Sequence, residues 1–482
     1  MKIVLGIDLG THGVRILAVD SLGAIHGQSA RDYDRVVGAG GIQEQPMEPV
    51  KQALCTALKD VVSRLQPGLD IHGIGITHQR GTVIGLDVTG KTVGNAICDS
   101  DTRSWEQARQ LQEDIGAESY YLQTGCPPLP FNGLTKILYL LREQPERAGK
   151  VATWASVQDW AVLQLTGKIN GSALSALRLG VLDVQSRQKY ARKVLSRYHI
   201  DPAHLPPICE FNTELGKVTE EVAAQTGLPV GTPVFPVPGD QPASVLGCGT
   251  VDESVGVINL GTTFLISFPR KGFPEKGFRH LCTAEILPEG WYALELGGGA
   301  GTNVLDWMRD VLFEIPSLSK FISLSDRSVP GANGLRIVPR WWSAFDKNIT
   351  GAIKGLQCSH TRGDMVRAAL EGLVCEVKLC WEKLEQVVDS SPDRVVVFGG
   401  ASQNDLLCQI IADILRKPVY RARTTEASAL GAAICAGMGV GWFSAVSDAA
   451  VKMTGLCGLC EPDPQNFEIY ESIYNGYKLE VG

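Results

Sequence analysis

Short apolar runs separated by glycine turns dominate the start of the chain. IVLGID and VRILAVD flank a Leu-Gly-Thr turn, which predicts strand, turn, strand. From Met47 to Leu65 the apolar residues Val50, Ala53, Leu54, Leu58 and Val61 or Val62 recur at helical spacing. IHGIGITH then predicts a further strand, and Ser104 to Leu165 reads as mostly helical. Strand and helix alternate, so the fold class is α/β.

The stretch from Gly231 to Gly249, GTPVFPVPGDQPASVLGCG, begins as a buried strand and ends in a short helix. We place a domain boundary just after it, giving domains 1–249 and 250–482. The second half repeats the opening: SVGVINLGTTFLISF has the pattern of IVLGIDLGTHGVRILAV, and Thr262 falls where Thr11 does. Two lobes that each open on a Gly-Thr hairpin predict a duplicated architecture with a central cleft. Later, Val366, Leu370, Leu373, Val374, Val377, Trp381 and Leu384 predict one amphipathic helix, and Leu406, Leu407, Ile410, Ile411 and Ile414 a second.

Composition narrows the function classes. At 482 residues the chain exceeds a single core, and 44% hydrophobic with 20% charged residues is ordinary globular make-up. A formal net charge of -7 argues against nucleic acid or an anionic membrane as partner. The charge-free stretch Ser428 to Val446 is long enough to span a bilayer, yet it is mainly Gly, Ala and Ser, so we read it as a closely packed internal helix and loop. Thirteen scattered cysteines, and a start without the marks of a signal peptide, lead us to expect free thiols and a cytoplasmic protein. Cys457 and Cys460 form one CxxC without a second pair, which is too little for zinc.

One motif is rejected. Gly85 to Thr92, GLDVTGKT, matches the phosphate-loop pattern, but that loop must open a helix. TVGNAI, which follows, has strand character, so Asp87 to Lys91 reads as a hairpin turn with Gly90 at positive φ.

The candidate chemistry gathers on glycine turns at strand ends: Gly10, Gly261, and the pair Gly399 and Gly400. Such turns free backbone N–H groups for phosphate oxygens. Two carboxylates accompany them. Asp8, ending the first strand, could hold Mg²⁺ through water against nucleotide phosphates. Asp240, after Pro-Gly at a strand mouth, could take a proton from a substrate hydroxyl. Taken singly, each could equally be a capping or turn aspartate.

The segments GIDLGTHGVR, VPGDQPASVLGCG, NLGTTF, LEGLVCEV, FGGASQNDLLCQIIADIL and TTEASALGAAICAG, in this order, resemble the FGGY family of carbohydrate kinases, which includes glycerol kinase and xylulokinase. The resemblance covers nearly the whole chain. It implies two actin-like ATPase (ribonuclease H-like) domains around a cleft, with the sugar and base in the first and nucleotide in the second. It also implies ATP and Mg²⁺, and phosphorylation of a primary hydroxyl. By matching positions, Asp240 is the general base and Gln241 its substrate-contacting neighbour. Asp8, Gly10, Thr11 and Arg15 form the first phosphate loop, and Thr262 belongs to the second. Gly301 lies in a glycine-rich turn near the nucleotide, and Gly400 and Asn404 in the adenosine pocket. Gln79, Arg80, Asp99, Asp101, Arg103 and Phe131 line the sugar pocket. Asp8 and Asp240 are the metal candidates.

The chain departs from the glycerol kinase pattern around the sugar. Arg80-Gly81 replaces an Arg-Glu pair, Phe131 a tyrosine, Asp99 a tryptophan, and WWSAFDKN, from Trp341 to Asn348, a Gly-Glu-Arg stretch. Lost polar partners discriminate strongly between substrates. We therefore expect a ketose or longer polyol, first a xylulose-like pentulose, with Asp99, Asp101 and Arg103 as hydroxyl partners. Glycerol or another polyol, or a catalytically silent sugar or nucleotide sensor, are the alternatives. A homo-oligomer is left open, and the lobes are expected to close when sugar and nucleotide are both bound.

Overall fold

The computed structural model describes residues 1–298, 301–341 and 350–481. Two sheets organise it. The first holds β1 (Lys2–Leu9), β2 (Gly13–Val19), β3 (Ile25–Asp32), β4 (Asp70–His78), β5 (Gly216–Lys217) and β6 (Pro233–Pro236), in the order β5-β6-β4-β1-β2-β3. The second holds β7 (Val255–Leu260), β8 (Phe264–Lys271), β9 (Thr283–Ile286), β10 (Trp291–Gly297), β11 (Arg394–Phe398), β12 (Val419–Ala422) and β13 (Leu456–Cys460), in the order β9-β10-β8-β7-β11-β12-β13.

The repeat seen in the sequence is a repeat of topology. β1 pairs antiparallel with β2 and parallel with β4, which in turn pairs parallel with β6. β7 pairs antiparallel with β8 and parallel with β11, which pairs parallel with β12. The two hairpin turns differ by one residue. Leu9 faces Val14 across Gly10–Gly13, whereas Leu260 faces Phe264 across Gly261–Thr263.

By internal contacts the chain forms two compact units. One comprises Met1–Asp252, Pro269–Leu294 and Glu426–Gly455, and the other Glu253–Phe268, Glu295–Thr425 and Leu456–Gly482. In the first unit the helix Met47–Ser63 buries Val50, Leu54, Leu58 and Val61 of the face its spacing predicts, while Ala53 and Val62 are half-buried. The small-residue stretch forms the buried helix Ala427–Gly439. A Cβ on Gly6 would lie 1.9 Å from the Ala429 carbonyl oxygen, and one on Gly431 would lie 1.8 Å from that of Ala243. Backbones thus meet where no side chain fits, which is why this run is Gly and Ala rather than Leu and Ile. Among the described residues no helix is long and apolar enough to cross a membrane.

In the second unit, Arg362–Val388 and Asp405–Leu415 are the two amphipathic helices the spacing predicts, and both bury the expected apolar positions apart from Leu406, which is half-buried.

Gly85–Thr92 is a turn. Asp87 Oδ1 accepts from Thr89 N at 2.8 Å and Lys91 N at 3.0 Å, Gly90 has φ +80°, and Leu86 bridges Thr92 in antiparallel fashion. No helix follows Lys91, so the phosphate-loop reading fails on geometry.

Candidate active site

β1 and β4 run parallel, and their carboxyl ends carry Asp8, Leu9 and His78, with Gln79 one residue beyond. Three side-chain atoms here are buried with no hydrogen-bond partner among the described residues: Asp8 Oδ1, His78 Nδ1 and Gln79 Oε1. Buried polar atoms are nearly always satisfied, so each orphan needs an explanation. Asp8 registers with Thr77 and Leu9 with His78, which puts Asp8 and His78 on opposite faces, and Asp8 Oδ1 is the orphan that marks a candidate ligand contact. The carboxyl ends of parallel strands are where α/β folds bind ligands.

Asp240 opens the helix Asp240–Gly247 after Gly239. Its Oδ1 accepts from Gln241 N at 2.8 Å and from Arg80 Nε at 2.9 Å, and its side chain keeps a quarter of its exposure. Both bonds fall on one oxygen. Burial pushes the Asp240 carboxyl up and Asp99 adds to this, while Arg80 and the Gln241 N–H oppose it. Burial also pushes Asp8 up, to about 8, with Asp240 and Glu426 adding repulsion and Arg15 and Ser428 opposing. Ser428, which bonds the Asp8 side chain, also lies with its hydroxyl 2.8 Å from that of Ser244, which donates to the main-chain carbonyl of Asp240 at 2.8 Å.

The first glycine turn is held from behind. Tyr33 Oη donates to the Gly10 carbonyl at 2.6 Å, and Gly10 N donates to Gly13 O at 3.0 Å. Thr11 lies on this turn, partly accessible. Arg15, on β2, pairs with Asp32 at 2.8 Å while its charge reaches Asp8.

Around the expected sugar pocket the residues divide. Asp99 is partly accessible, with its N–H bonded to Thr82. Phe131 is partly accessible and sits edge-on to Trp105 at 6.5 Å. Gly81 has φ +68°, and a Cβ there would lie 2.0 Å from the Phe131 carbonyl oxygen. The carboxylate of an Arg-Glu pair therefore has no room at this position.

Asp101 and Arg103 are tied into their loop. Asp101 is 1% exposed, and its oxygens accept from Gln43 N at 2.9 Å, Arg103 N at 3.0 Å and Arg103 Nε. Arg103 also grips Glu44 at 2.7 Å. Both side chains brace their loop through these bonds. The segment from Trp341 to Asn348 lies outside the described residues beyond Trp341 itself.

In the second unit Thr262 is exposed on its turn, and Gly301 packs onto it. A Cβ on Gly301 would lie 2.4 Å from Thr262 O, and Asn303 N donates to that oxygen at 3.0 Å. Gly400 has open space where its Cβ would be, and Gly399, at φ +89°, makes the tight approach to the end of β7. Asn404 caps the next helix through Leu407 N at 2.7 Å.

Sequence reading missed Glu285 and Arg178. Glu285 Oε1 accepts from Arg80 Nη1 and lies 3.6 Å from Arg178 Nε. Their signal was a lone charge inside an apolar run, in TAEIL and SALRLGV. Glu426 and Ser428 were in a motif already recognised but were not singled out.

Comparison with known proteins adds the following. The N-terminal domain profile of the FGGY family of carbohydrate kinases matches residues 3–247, and the C-terminal domain profile matches residues 256–440. The chain is 28% identical to the xylulose kinase of Lactococcus lactis subsp. lactis, over 99% of this chain and 96% of that protein. It is 27% identical to the glycerol kinase of Alteromonas mediterranea, over 92% of each. The crystal structure of xylulose kinase from Rhodospirillum rubrum superposes with a TM-score of 0.89 at 25% identity, covering 99% of this chain and 98% of that one. The fold is that of two actin-like ATPase (ribonuclease H-like) domains.

Proposed function

The chain belongs to the FGGY family of carbohydrate kinases, and from that premise we propose that it transfers the γ-phosphoryl group of ATP to a primary hydroxyl of a xylulose-like pentulose. The reaction class is that of the family: a sugar and ATP are the substrates. The pentulose is supported by end-to-end likeness to xylulose kinases and by Gly81, which leaves no room for the carboxylate that a glycerol-type pocket carries.

The observation that carries the reading is the setting of Asp240. Arg80 Nε and Gln241 N both bind Oδ1. Oδ2 is then the oxygen that takes the proton from the sugar hydroxyl as that hydroxyl attacks phosphorus. Phosphoryl transfer asks little covalent chemistry of a protein; it asks for positioning and charge neutralisation. A carboxylate whose affinity for protons is raised by burial is a better acceptor than an exposed one, and such a base contributes roughly 10²–10⁴ in rate.

The donor set suits a divalent cation. Asp8 Oδ1 is buried without a partner among the described residues, and burial first, then Asp240 and Glu426, push its proton affinity up, so a cation there would offset both. Among the described residues no group of three or more His, Cys, Asp or Glu side chains could hold a metal. Mg²⁺ fits better as an ion held by Asp8 and Asp240 together with nucleotide phosphates and water. When bound it would neutralise phosphate charge.

Thr11, with Gly10 and Arg15, and Thr262, with Gly301, are the phosphate-loop residues of this reading, and Gly400 and Asn404 the adenosine side. Gln79, Arg80, Asp99, Asp101, Arg103, Phe131 and Gln241 are the sugar-side residues. The thirteen cysteines are all free thiols, which supports a reducing, cytoplasmic setting.

Coupled ADP release over a panel of xylulose, ribulose, gluconate and glycerol tests the reading. A pentulose is expected to give the highest kcat/KM. ADP release that no sugar stimulates would overturn it in favour of a silent sensor.

A further inference from the structure

Behind Asp240 lies a second carboxylate that no substrate is expected to touch. Glu285 sits on β9, whose four residues are all buried, and its own side chain is 2% exposed. It accepts from Arg80 Nη1 and lies 3.6 Å from Arg178 Nε. Arg178 is tied back to the same strand, its Nη1 donating to Thr283 Oγ1 at 2.9 Å. A carboxylate this deep is costly unless cations compensate it, and two guanidinium groups do so here.

The geometry around Arg80 gives this arrangement its meaning. Its stem runs directly over Gly239, where a Cβ would lie 2.1 Å from Cγ and 2.3 Å from Cδ. Its Nε meets Asp240 Oδ1 at 2.9 Å. Its Nη1 is taken by Glu285. Stem, one edge and one tip are thus among the points that fix the guanidinium. Loss of Glu285 removes the contact at Nη1 and lets the plane tilt towards the bidentate pairing with Asp240 that arginine and a carboxylate otherwise favour, covering the second oxygen as well.

We propose that Glu285 is a positioning residue for phosphoryl transfer: it holds Arg80 so that only one oxygen of Asp240 is engaged and the other stays turned to the accepting hydroxyl. This rests on the reading of Asp240 as the base. Glu285 touches neither substrate; it acts through Arg80.

The test is Glu285→Gln, which keeps shape but removes the charge, beside the parental chain. The expected result is a fall in kcat of about 10- to 100-fold, with KM for ATP unchanged. In an Arg80→Lys background, Glu285→Gln should cost kcat no further, because the two act as one unit. A kcat within twofold of parental would overturn the proposal.

A second measurement does not need a known sugar. In protein carrying ¹⁵N-labelled arginine, the Arg80 Nε–H signal, identified by its loss in Arg80→Lys, is expected to exchange slowly with solvent in the parental chain and fast in Glu285→Gln. Parental exchange in the variant would overturn the proposal whether or not a substrate has been found. Failure of every sugar in the ADP assay would instead count against the kinase reading, leaving the exchange result to decide on Glu285.

Discussion

Gly81 and Phe131 touch through their backbones: a Cβ on Gly81 would stand 2.0 Å from the Phe131 carbonyl oxygen, and Gly81 holds φ at +68°. Both the space and the backbone conformation exclude a side chain. Gly81→Ala is therefore expected to displace the Phe131 loop, costing about 1–3 kcal/mol of stability and raising KM for the sugar more than KM for ATP. Denaturant unfolding and steady-state kinetics over both substrates check this. An unchanged sugar KM would mean that this loop does not border the sugar.

Asp240→Asn should lower kcat by roughly 10²–10⁴, because the amide cannot accept the proton. Binding of ATP without magnesium should survive, since the nucleotide loops of the reading lie elsewhere in the chain, while any tightening by magnesium should weaken. Single-turnover rates, with nucleotide affinity measured by titration, separate the two effects. Turnover close to parental would remove the base assignment.

Asp8 gives a prediction with a sign. Its carboxyl stays protonated in the folded chain up to about 8, against 3.8 ordinarily, chiefly because of burial and then Asp240 and Glu426. Between these pH values the folded chain holds more protons than the unfolded one, so this group's contribution to stability declines as pH rises. Asp8→Asn should melt above the parental chain at pH 9, with the gap closing towards pH 4, while activity is lost. Magnesium with a non-hydrolysable ATP analogue should raise the parental melting temperature more than the variant's. Parallel melting curves across pH would sink the account.

Lys91→Ala should leave nucleotide affinity unaltered. The lysine stands on an exposed hairpin turn organised by Asp87, with no helix after it. A loss of ATP binding on titration would revive the phosphate-loop reading.

These predictions draw unequally on sequence. The opening hairpin and its repeat were legible because alternating apolar runs around Leu-Gly-Thr have few other solutions, and both sheets place them centrally. Ser428–Val446 was legible by composition, its Gly and Ala run being suited to backbone contact. That Pro269–Leu294 and Glu426–Gly455 belong with the first unit was not legible, because membership depends on tertiary packing that leaves no local mark. Asp101 and Arg103 show the same limit in the site. Their residue types suggested hydroxyl contacts, and only coordinates reveal that they also bond Gln43 and Glu44, far along the chain. Glu285 is the converse, a charge in an apolar strand whose value depends on Arg80 and Arg178, more than a hundred residues away.

Lys136 offers a final test of the sugar-side loop. It is fully buried, and its Nζ donates to the Pro130 carbonyl at 2.6 Å, beside Phe131. Burial pulls its ammonium down from 10.5 to about 7; Asp99, Asp101 and Cys98 oppose this and Arg178 adds to it. Between pH 7 and 10.5 the unfolded chain binds more protons than the folded one, so this group's contribution to stability rises with pH across that window and is lost as pH falls to 7. Lys136→Met removes the titration but also the bond to Pro130. The stability of the variant relative to the parental chain should therefore be most favourable below pH 7 and worsen steadily towards pH 10. Urea unfolding at four pH values reads this slope directly. A difference independent of pH would show that Lys136 keeps an ordinary proton affinity, and that the polar groups around Asp99 and Asp101 offset its burial entirely.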